Sequence, residues 1–289
     1  GYAWGATVEN CAVTGSIYGT ASVGGIVGYA SSGTIQNCYS TGSVTGSSNY
    51  VGGIIGYLEY PTTMVQRCYS DSSVSGGRYV GGVAGDVGAA AVENCYSTGN
   101  VKGVRYVGGV AGSVSSGSVQ NCYSTSSVTG TDEYLGGIAG VLSSSGTVKN
   151  CVALSPSINA GTYSFGRVVG SSSSDTLLNN YAYSRIPGTW ENKELNAKDG
   201  ADVTSQTLFG GSFWTAASNW NTSAWDGSVW TFADGKLPTL KGLAGQSGDG
   251  GLYLTARDIK YVTVSTGSFA YNGSEQIPTV TFDGETLIK

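Results

Sequence analysis

Histidine is absent from the 289 residues of this chain. Without an imidazole, Ser-His-Asp and Cys-His catalysis are excluded, and so are most kinds of zinc site. Charged side chains are also scarce, at 11% of residues against a usual quarter. The formal net charge of −5 argues against nucleic acid or an anionic membrane as a partner, because either would require a basic face.

Long apolar runs are missing too, since none reaches the ~18 residues that cross a bilayer. We therefore expect no membrane insertion. Proline occurs only five times and the 47 glycines follow no three-residue period, which excludes collagen. The 19 tyrosines argue against disorder. What remains is rich in Gly, Ser, Thr and Tyr, and this composition is typical of an extracellular β-protein at a cell surface.

Two short patterns recur along the first part of the chain. The first contains a cysteine, as in "NCYSTGSVTG" at Asn37, and successive cysteines are 27, 30, 27, 27 and 29 residues apart. The second keeps the same period, as in "VGGIIG" at Val51, and ends in a degraded copy, "FGRVVG", at Phe165. "NNYAY" at Asn179 is a cysteine-free copy of the first pattern, in which we place Tyr181 at the cysteine position. Repeats of this length indicate a solenoid or a similar stacked array.

Each repeat is predicted to form three short strands. "YVGGIIGY" is interpreted as one strand with outward Tyr and inward Val, "TIQNCYS" as the second and "SVTG" as the third. No window has the apolar spacing of an amphipathic helix. Three strands in 27–30 residues fit one coil of a parallel β-helix, whose coils stack ~4.8 Å apart. An antiparallel sandwich of repeated hairpins is the alternative, and no local feature excludes it.

These repeats closely resemble the GLUG motif, through "[VL]GG[IV][IVA]G" followed by "[TSA][IV]xNCYSTGxVxG". The resemblance covers about residues 1–187 and implies a bacterial cell-surface protein. Such repeats occur in large adhesins and in proteins that resemble immunoglobulin A proteases, outside the peptidase domain. The family supplies no catalytic residues to carry over. The fold class predicted on both grounds is all-β, with a parallel β-helix-like solenoid of GLUG repeats over residues 1–187.

The two ends of the repeat region give further expectations. "GYAWGATVENC" at Gly1 aligns with "GYASSGTIQNC" at Gly28, so we expect the chain to begin within a repeat of a longer protein. Export and anchoring signals would then lie outside it. Residues 188–244 contain five of the six tryptophans and are interpreted as a cap on the apolar end of the solenoid. A tryptophan carbohydrate site is the alternative there.

The last segment, residues 245–289, is predicted to be a linker followed by a truncated immunoglobulin-like β segment. "GQSGDGG" at Gly245 has the composition of a linker, and an "NG" turn follows at Asn272. "FAYNGSEQIPTV" resembles the start of the immunoglobulin-like modules of bacterial surface proteins. A complete module of that kind needs about 100 residues.

Catalysis is not expected. The repeat region has eight acidic residues, of which only Glu9 and Glu93 share a repeat position, three coils apart. A glycosidase needs two carboxyls about 5 to 9.5 Å apart. We therefore predict no enzyme activity, no cofactor and no metal site in this chain.

The six cysteines are predicted to form one buried, unpaired and metal-free column: Cys11, Cys38, Cys68, Cys95, Cys122 and Cys151. Side chains of stacked coils run parallel, which keeps Cβ atoms near 4.8 Å, whereas a disulfide requires ~3.8 Å. A single column of thiols cannot surround zinc tetrahedrally. Disulfides remain the alternative, because exported proteins usually oxidise their cysteines.

Two sets of tyrosines recur at fixed repeat positions and are candidate glycan contacts. One set follows the cysteines and the other precedes the "[VL]GG" strands: Tyr39, Tyr69, Tyr96 and Tyr123, and Tyr50, Tyr79, Tyr106 and Tyr134. Alternation predicts that both sets face outward. Stacked rings stabilise a sheet by themselves. The functional interpretation is a row of rings whose faces suit sugar C–H groups and whose hydroxyls form hydrogen bonds.

These observations predict a non-catalytic extracellular repeat region of a large bacterial surface protein. Its role would be that of an adhesive stalk or binding surface, monomeric, with host glycans or host surface proteins as partners. The alternative is an ancillary, substrate-positioning region of a secreted immunoglobulin A protease-like or glycan-degrading enzyme.

Overall fold

The structure, a computed structural model, describes residues 1–159, 164–173, 176–220 and 224–249, and the backbone of three strands within residues 262–288. It divides into two compact units, Gly1–Gly251 and Leu252–Lys289. The repeats and the tryptophan-rich segment therefore share one unit. In the described part of the chain, no helix has the length and apolarity required to cross a bilayer.

The first unit is a solenoid of four parallel sheets, which the chain visits in the order A, B, C, D. Sheet A contains Tyr2–Ala3, Val27–Ala30, Ile55–Leu58, Ala84–Val87, Ala111–Ser115, Ala139–Ser143 and Val169–Ser171. Sheet B contains Ala6–Glu9, Gly33–Gln36, Thr63–Gln66, Ala91–Glu93, Ser118–Gln120, Thr147–Lys149 and Thr176–Leu178.

Sheets C and D complete each coil. Sheet C contains Ala12–Gly19, Tyr39–Gly46, Tyr69–Ser75, Tyr96–Ser97, Val101–Gly103, Tyr123–Ser124, Val128–Gly130, Val152–Ala153, Ile158–Asn159, Tyr181–Tyr183 and Ala201–Val203. Sheet D contains Val23–Gly24, Val51–Gly52, Arg78–Gly81, Arg105–Gly108, Leu135–Gly136 and Phe165–Gly166.

Equivalent residues of successive coils lie directly above one another, so the predicted parallel solenoid is confirmed and the antiparallel alternative is wrong for the repeats. Val51 pairs with Val80, and Val80 with Val107. Tyr69 pairs with Tyr96, and Tyr96 with Tyr123. The buried Val, Ile, Leu and Cys side chains form a single core that runs through all the coils.

The predicted strand "YVGGIIGY" is wrong, because it is two strands of different sheets separated by a corner. Val51–Gly52 belongs to sheet D and Ile55–Leu58 to sheet A. A Cβ on Gly52 would overlap the carbonyl oxygen of Ile55, and one on Gly53 would overlap the carbonyl oxygen of Gly82 in the next coil. Both positions of this corner therefore require glycine. The corner brings the backbone too close to neighbouring carbonyl groups for any side chain.

A column of buried serines packs against the glycine corners. Ser40 and Ser97 donate hydrogen bonds to the carbonyl oxygens of Gly53 and Gly109 across the interior, the first at 2.6 Å. Their hydroxyls also contact those of the next coils, with Ser97 Oγ 3.0 Å from Ser124 Oγ. The hydroxyls satisfy carbonyl groups that the corner directs inward, where a Cβ on the glycines would leave no room.

Asparagine forms the bend between sheets B and C. Asn37, Asn94 and Asn121 have φ of 54°, 51° and 51°, in the left-handed region that Asn tolerates better than most residues. Arg67 occupies this column with the same φ of 53°. Asn150 Nδ2 donates to Asn121 Oδ1 at 3.2 Å, so neighbouring amides also bond from coil to coil.

Residues 190–203 close the far end of the solenoid. Arg167 stands where earlier copies have the second glycine, and its side chain is fully buried. Its Nε donates to the Asp199 carbonyl oxygen at 2.9 Å, its Nη2 to the Gly200 carbonyl oxygen at 2.7 Å, and it forms an ion pair with Asp202. The position accepts a long side chain because residues 198–202, rather than another glycine corner, lie beyond it.

Residues 204–220 and 224–249, which we name the strap, return along the side of the solenoid over sheet C. The strap contains short helices at Ser205–Leu208 and Gly211–Thr215, a 3₁₀ turn at Ala217–Asn219, and a two-strand antiparallel sheet of Trp230–Thr231 and Thr239–Leu240. The predicted end cap is therefore two elements, an end cover at 190–203 and a lateral strap.

The described residues of the second unit form three short antiparallel strands, Val262–Val264, Val280–Phe282 and Glu285–Ile288. The predicted turn at Asn272 and the other residues of the immunoglobulin-like segment lie outside the described residues.

A glycine corner tests the packing of the coils. In Gly82→Ala the new methyl group would overlap the Gly109 carbonyl oxygen and lie 2.6 Å from Ser97 Oγ, so we expect a loss of at least about 3 kcal/mol in the free energy of unfolding. Gly227→Ala is the control, because nothing lies within 4 Å of the position that its new methyl group would take. Denaturant unfolding followed by circular dichroism measures both, and equal stability of the two variants would contradict this packing.

Candidate functional site

The six cysteines lie in one column at the start of sheet C, and all six are free thiols. Five are fully buried, whereas Cys11 in the first coil is only half-buried, so the prediction of complete burial is wrong for Cys11. Among the described residues, no group of three or more Cys, Asp or Glu is arranged to hold a metal ion.

Hydrogen bonds explain why the column is cysteine rather than an equally small apolar residue. The backbone N–H of Cys68 donates to Cys95 Sγ at 3.4 Å, and that of Cys95 donates to Cys122 Sγ at 3.4 Å. Each thiol donates in turn to the carbonyl oxygen two residues earlier, as from Cys38 Sγ to Gln36 at 3.0 Å. The sulfur thus accepts from the backbone N–H of the previous coil and donates to a carbonyl oxygen at the bend, which an alanine or valine side chain could not do.

Asn180, rather than Tyr181, ends the cysteine column. Val152 pairs with Tyr181, which places Asn180 above Cys151 and corrects the predicted alignment by one residue. Asn180 Oδ1 accepts from the N–H of Cys151 at 3.0 Å, and its Nδ2 donates to the Val148 carbonyl oxygen at 2.9 Å. A buried amide therefore replaces both hydrogen-bonding roles of the thiol.

The column predicts a graded thiol reactivity. Burial raises the pKa of Cys68 and Cys122, so their unreactive thiol forms persist at neutral pH. In the native protein without reductant, we expect a maleimide reagent to modify Cys11 first and the five buried cysteines only on unfolding. Mass spectrometry of the denatured protein should then count six free thiols. A mass lower by two, four or six hydrogens would show disulfides instead.

The first tyrosine set forms a stack that we name the covered ladder: Tyr39, Tyr69, Tyr96 and Tyr123. Neighbouring ring centroids are 5.0, 5.1 and 4.8 Å apart and the ring planes differ by 3° to 6°. The prediction that this set faces solvent is wrong beyond Tyr39. Tyr69, Tyr96 and Tyr123 are 1%, 3% and 1% exposed, because the strap lies over them. They are therefore not glycan contacts in this structure.

The strap binds the hydroxyl edge of the covered ladder. Tyr69 donates to the Ala244 carbonyl oxygen at 2.6 Å, and Tyr123 to that of Pro238 at 2.8 Å. Tyr96 donates to Gln246 Oε1 at 2.9 Å. Burial raises the pKa of Tyr69 to about 12 and that of Tyr96 further, so both hydroxyls remain protonated donors.

The strap tryptophans are core residues, as their crowding in the sequence predicts. Trp214, Trp220, Trp225 and Trp230 are at most 1% exposed. Three of them lie 6.1 to 6.3 Å from the Tyr123 ring, centroid to centroid. Their faces are thus packed against protein, and the alternative of a tryptophan carbohydrate site is wrong for this arrangement.

The second set forms a half-exposed stack that we name the open ladder: Tyr50, Tyr79, Tyr106 and Tyr134. Ring centroids are 5.0, 4.7 and 5.3 Å apart and planes differ by 4° to 10°. All four residues have positive φ between 57° and 66°, directly before the Val or Leu that each coil contributes to sheet D. Left-handed backbone is uncommon for tyrosine, so the backbone that carries the stacked rings is locally strained.

Stacking also decides which part of each ring can meet a ligand. Tyr79 and Tyr106 each have a neighbouring ring on both faces, so these faces are not free to contact sugar C–H groups. The predicted contact through ring faces is therefore wrong for the middle of the ladder. The ring edges and hydroxyls remain, and no described residue hydrogen-bonds to the four hydroxyls.

A second row of tyrosines on sheet A joins the open ladder. Tyr2, Tyr29 and Tyr57 pair in register, and the Tyr57 ring stacks on Tyr50 at 5.0 Å. The sequence carried a signal for this row, because "GYA", "GYA" and "GYL" repeat at one position of the first three copies. At the other end, Arg105 lies 5.1 and 5.2 Å from the rings of Tyr106 and Tyr134.

Asp86 replaces the next tyrosine of the sheet A row. It lies between Tyr57 and Ser113 in register, beside the open ladder. Burial raises the pKa of this carboxyl to about 6, and its Oδ1 is buried without a hydrogen-bond partner among the described residues. Neither neighbour in the row is a second carboxylate, so the arrangement lacks the pair that glycoside hydrolysis requires.

The raised pKa of the Asp86 carboxyl predicts an unusual pH dependence of the free energy of unfolding. Its pKa is about 6 in the folded state and 3.8 is the ordinary value, so the folded protein binds the proton more tightly. The free energy of unfolding should therefore rise as pH falls through 6. The gain is about 3 kcal/mol and is complete near the pKa that Asp86 has in the unfolded chain. Tyr50, Tyr57 and Tyr79 face this carboxyl and stay neutral over that range.

Asp86→Asn should abolish this gain and raise the free energy of unfolding at pH 7. The exposed Asp71→Asn is the control and should keep the pH dependence of the unsubstituted protein. Urea unfolding at pH 5 and pH 7 measures all three proteins. An unchanged pH dependence in Asp86→Asn would contradict this assignment.

Comparisons with known proteins agree with this architecture. A family profile described as "The GLUG motif" matches residues 19–45 and 76–102, so the chain contains GLUG-motif repeats. No curated protein matches the sequence. The chain is similar in fold to the crystal structure of "a putative immunoglobulin A1 protease from Bacteroides ovatus", at 21% identity and a TM-score of 0.60, over 82% of this chain and 75% of that chain.

Proposed function

We propose that this chain is a non-catalytic binding region of an extracellular bacterial surface protein, and that the open ladder is its binding surface. The observation that carries the proposal is the contrast between two ladders of the same geometry. The covered ladder uses its hydroxyls on the strap, whereas the four hydroxyls of the open ladder have no described partner. Exposed rows of aromatic side chains are typical of surfaces that bind glycans or proteins.

The extracellular location is part of the same proposal. Its support is the low content of charged residues and the match to the GLUG motif, whose resemblance implies a bacterial surface protein. Host glycans and host surface proteins are the proposed partners, and the chain acts as a monomer, with adhesion as the role of the region.

The function is tested by binding of the whole chain to an array of glycans and to a panel of host extracellular proteins. Tyr79→Ala together with Tyr106→Ala should lower every specific signal at least tenfold, because it removes two central rungs of the open ladder. Tyr39→Ala is the matched control, since Tyr39 is a half-exposed rung of the other ladder. Circular dichroism confirms that the fold is retained. An array without signals, or signals that the double variant keeps, would contradict the proposal.

A second candidate function is an ancillary, substrate-positioning region of a secreted protease. The fold similarity to the Bacteroides ovatus protein favours it, because that protein is described as "a putative immunoglobulin A1 protease". Immunoglobulin A1 on a biosensor surface is then the probe. Specific binding of the chain to immunoglobulin A1 without binding to glycans would favour this function over adhesion.

A further inference from the structure

We propose that the open ladder binds an uncharged, extended glycan of equatorially linked sugars along the solenoid axis, with one sugar per coil and through the tyrosine hydroxyls. The inference rests on the proposed binding function and specifies its ligand class and its mode. Face-to-face contact between a sugar and an aromatic ring is not part of it, since the inner rings of the ladder cover one another.

The chemistry of the exposed edge matches a sugar. Each tyrosine hydroxyl can donate one hydrogen bond and accept others, as each sugar hydroxyl can. The hydroxyls of Tyr50, Tyr79, Tyr106 and Tyr134 are the repeating polar groups of this edge, and no described residue satisfies them. A row of donor–acceptor groups therefore faces outward at every coil.

The distance between successive rungs of the open ladder favours a glycan over a peptide as the ligand. Its rungs are 4.7 to 5.3 Å apart, as coil stacking dictates. An extended, equatorially linked pyranose chain advances by nearly this distance per sugar. Successive sugars are turned over, but each one still places a hydroxyl or ring oxygen on the edge that faces the ladder. An extended peptide presents same-side groups at about 6.6 Å, which does not match the rungs.

The covered ladder shows that such an edge can bind an acceptor-bearing chain. Tyr69, Tyr96 and Tyr123 donate to three oxygen acceptors of the strap at 2.6 to 2.9 Å. These three successive rungs each find a partner while their rings stay stacked at 5.1 and 4.8 Å. The open ladder has the same stacking and no strap.

The charges around the open ladder favour an uncharged ligand. Arg105 lies at its rings and pairs with Glu133 and, at 3.9 Å, with Asp132, and Arg78 is a second cation beside Tyr79. At the opposite end, the unpartnered Asp86 Oδ1 lies beside Tyr50 and Tyr57. The cations and carboxyls along the ladder therefore nearly balance, so neither a strongly acidic nor a strongly basic glycan is favoured.

The test is calorimetric titration of the whole chain with β-1,4-linked glucose oligomers of two to six sugars. Affinity should rise with length up to four sugars, the number of rungs, and then level off. Tyr79→Phe together with Tyr106→Phe keeps both rings and removes two hydroxyls, and it should lower the affinity about tenfold. Tyr39→Phe is the matched control and should bind as the unsubstituted chain does.

Three results would overturn this binding mode. They are full affinity in the Tyr79→Phe and Tyr106→Phe variant, equal affinity for α-1,4-linked glucose oligomers, whose bent linkage breaks the register, and no binding of any β-linked oligomer. If array signals nonetheless depend on Tyr79→Ala and Tyr106→Ala, the proposed function stands and only the mode fails. If both experiments are negative, both proposals fail.

Discussion

Every part of the solenoid depends on in-register stacking, because each side chain must lie ~4.8 Å from the equivalent residue of the next coil. This requirement accounts for the low charge of the sequence, since like charges at that distance repel by about 1 kcal/mol even in water. The column that begins at Glu9 shows the consequence. Gln36 and Gln66 occupy the same column in the next two coils, and the Gln36 amide donates to the Glu9 carboxylate at 2.8 Å. Residues whose side chains pack against or hydrogen-bond to identical copies, namely Tyr, Ser, Asn, Cys and Val, fill most of the other columns.

The two tyrosine ladders show how one repeated feature acquires two roles. Both arise from the same stacking geometry, and the difference between them comes from outside the repeats. The strap, which is not repetitive, buries three rungs of one ladder, in part beneath three of its tryptophans, and leaves the other ladder half-exposed. Stabilisation and recognition are thereby divided between two edges of one solenoid, and the edge that is stabilised no longer has free hydroxyls to offer a ligand.

The stacking of equivalent residues was predictable from the sequence, because the repeat length alone determines which residues lie above one another. The repeat of Cys38, Cys68 and Cys95 was sufficient to predict a cysteine column, and that of Val51 and Val80 to predict the parallel register. The strap contacts were not predictable, because they join residues as distant as Tyr69 and Ala244, and no periodicity indicates which outward column a non-repeating segment will cover. The glycine corner was missed because alternation describes straight strands, whereas Gly53 lies at a turn. Asp86 interrupts a row of tyrosines, and only the fold reveals that it is enclosed.

Arg167 has a consequence for how proteins of this architecture change in length. The internal copies are interchangeable, because each presents a glycine corner to the coil before it and to the coil after it. The copy with Arg167 accepts a glycine corner on one side only, since its guanidinium occupies the other side with residues 199–202. Gene duplication can therefore add or delete coils before Phe165, while the terminal copy, its end cover and the strap must be inherited as a single block.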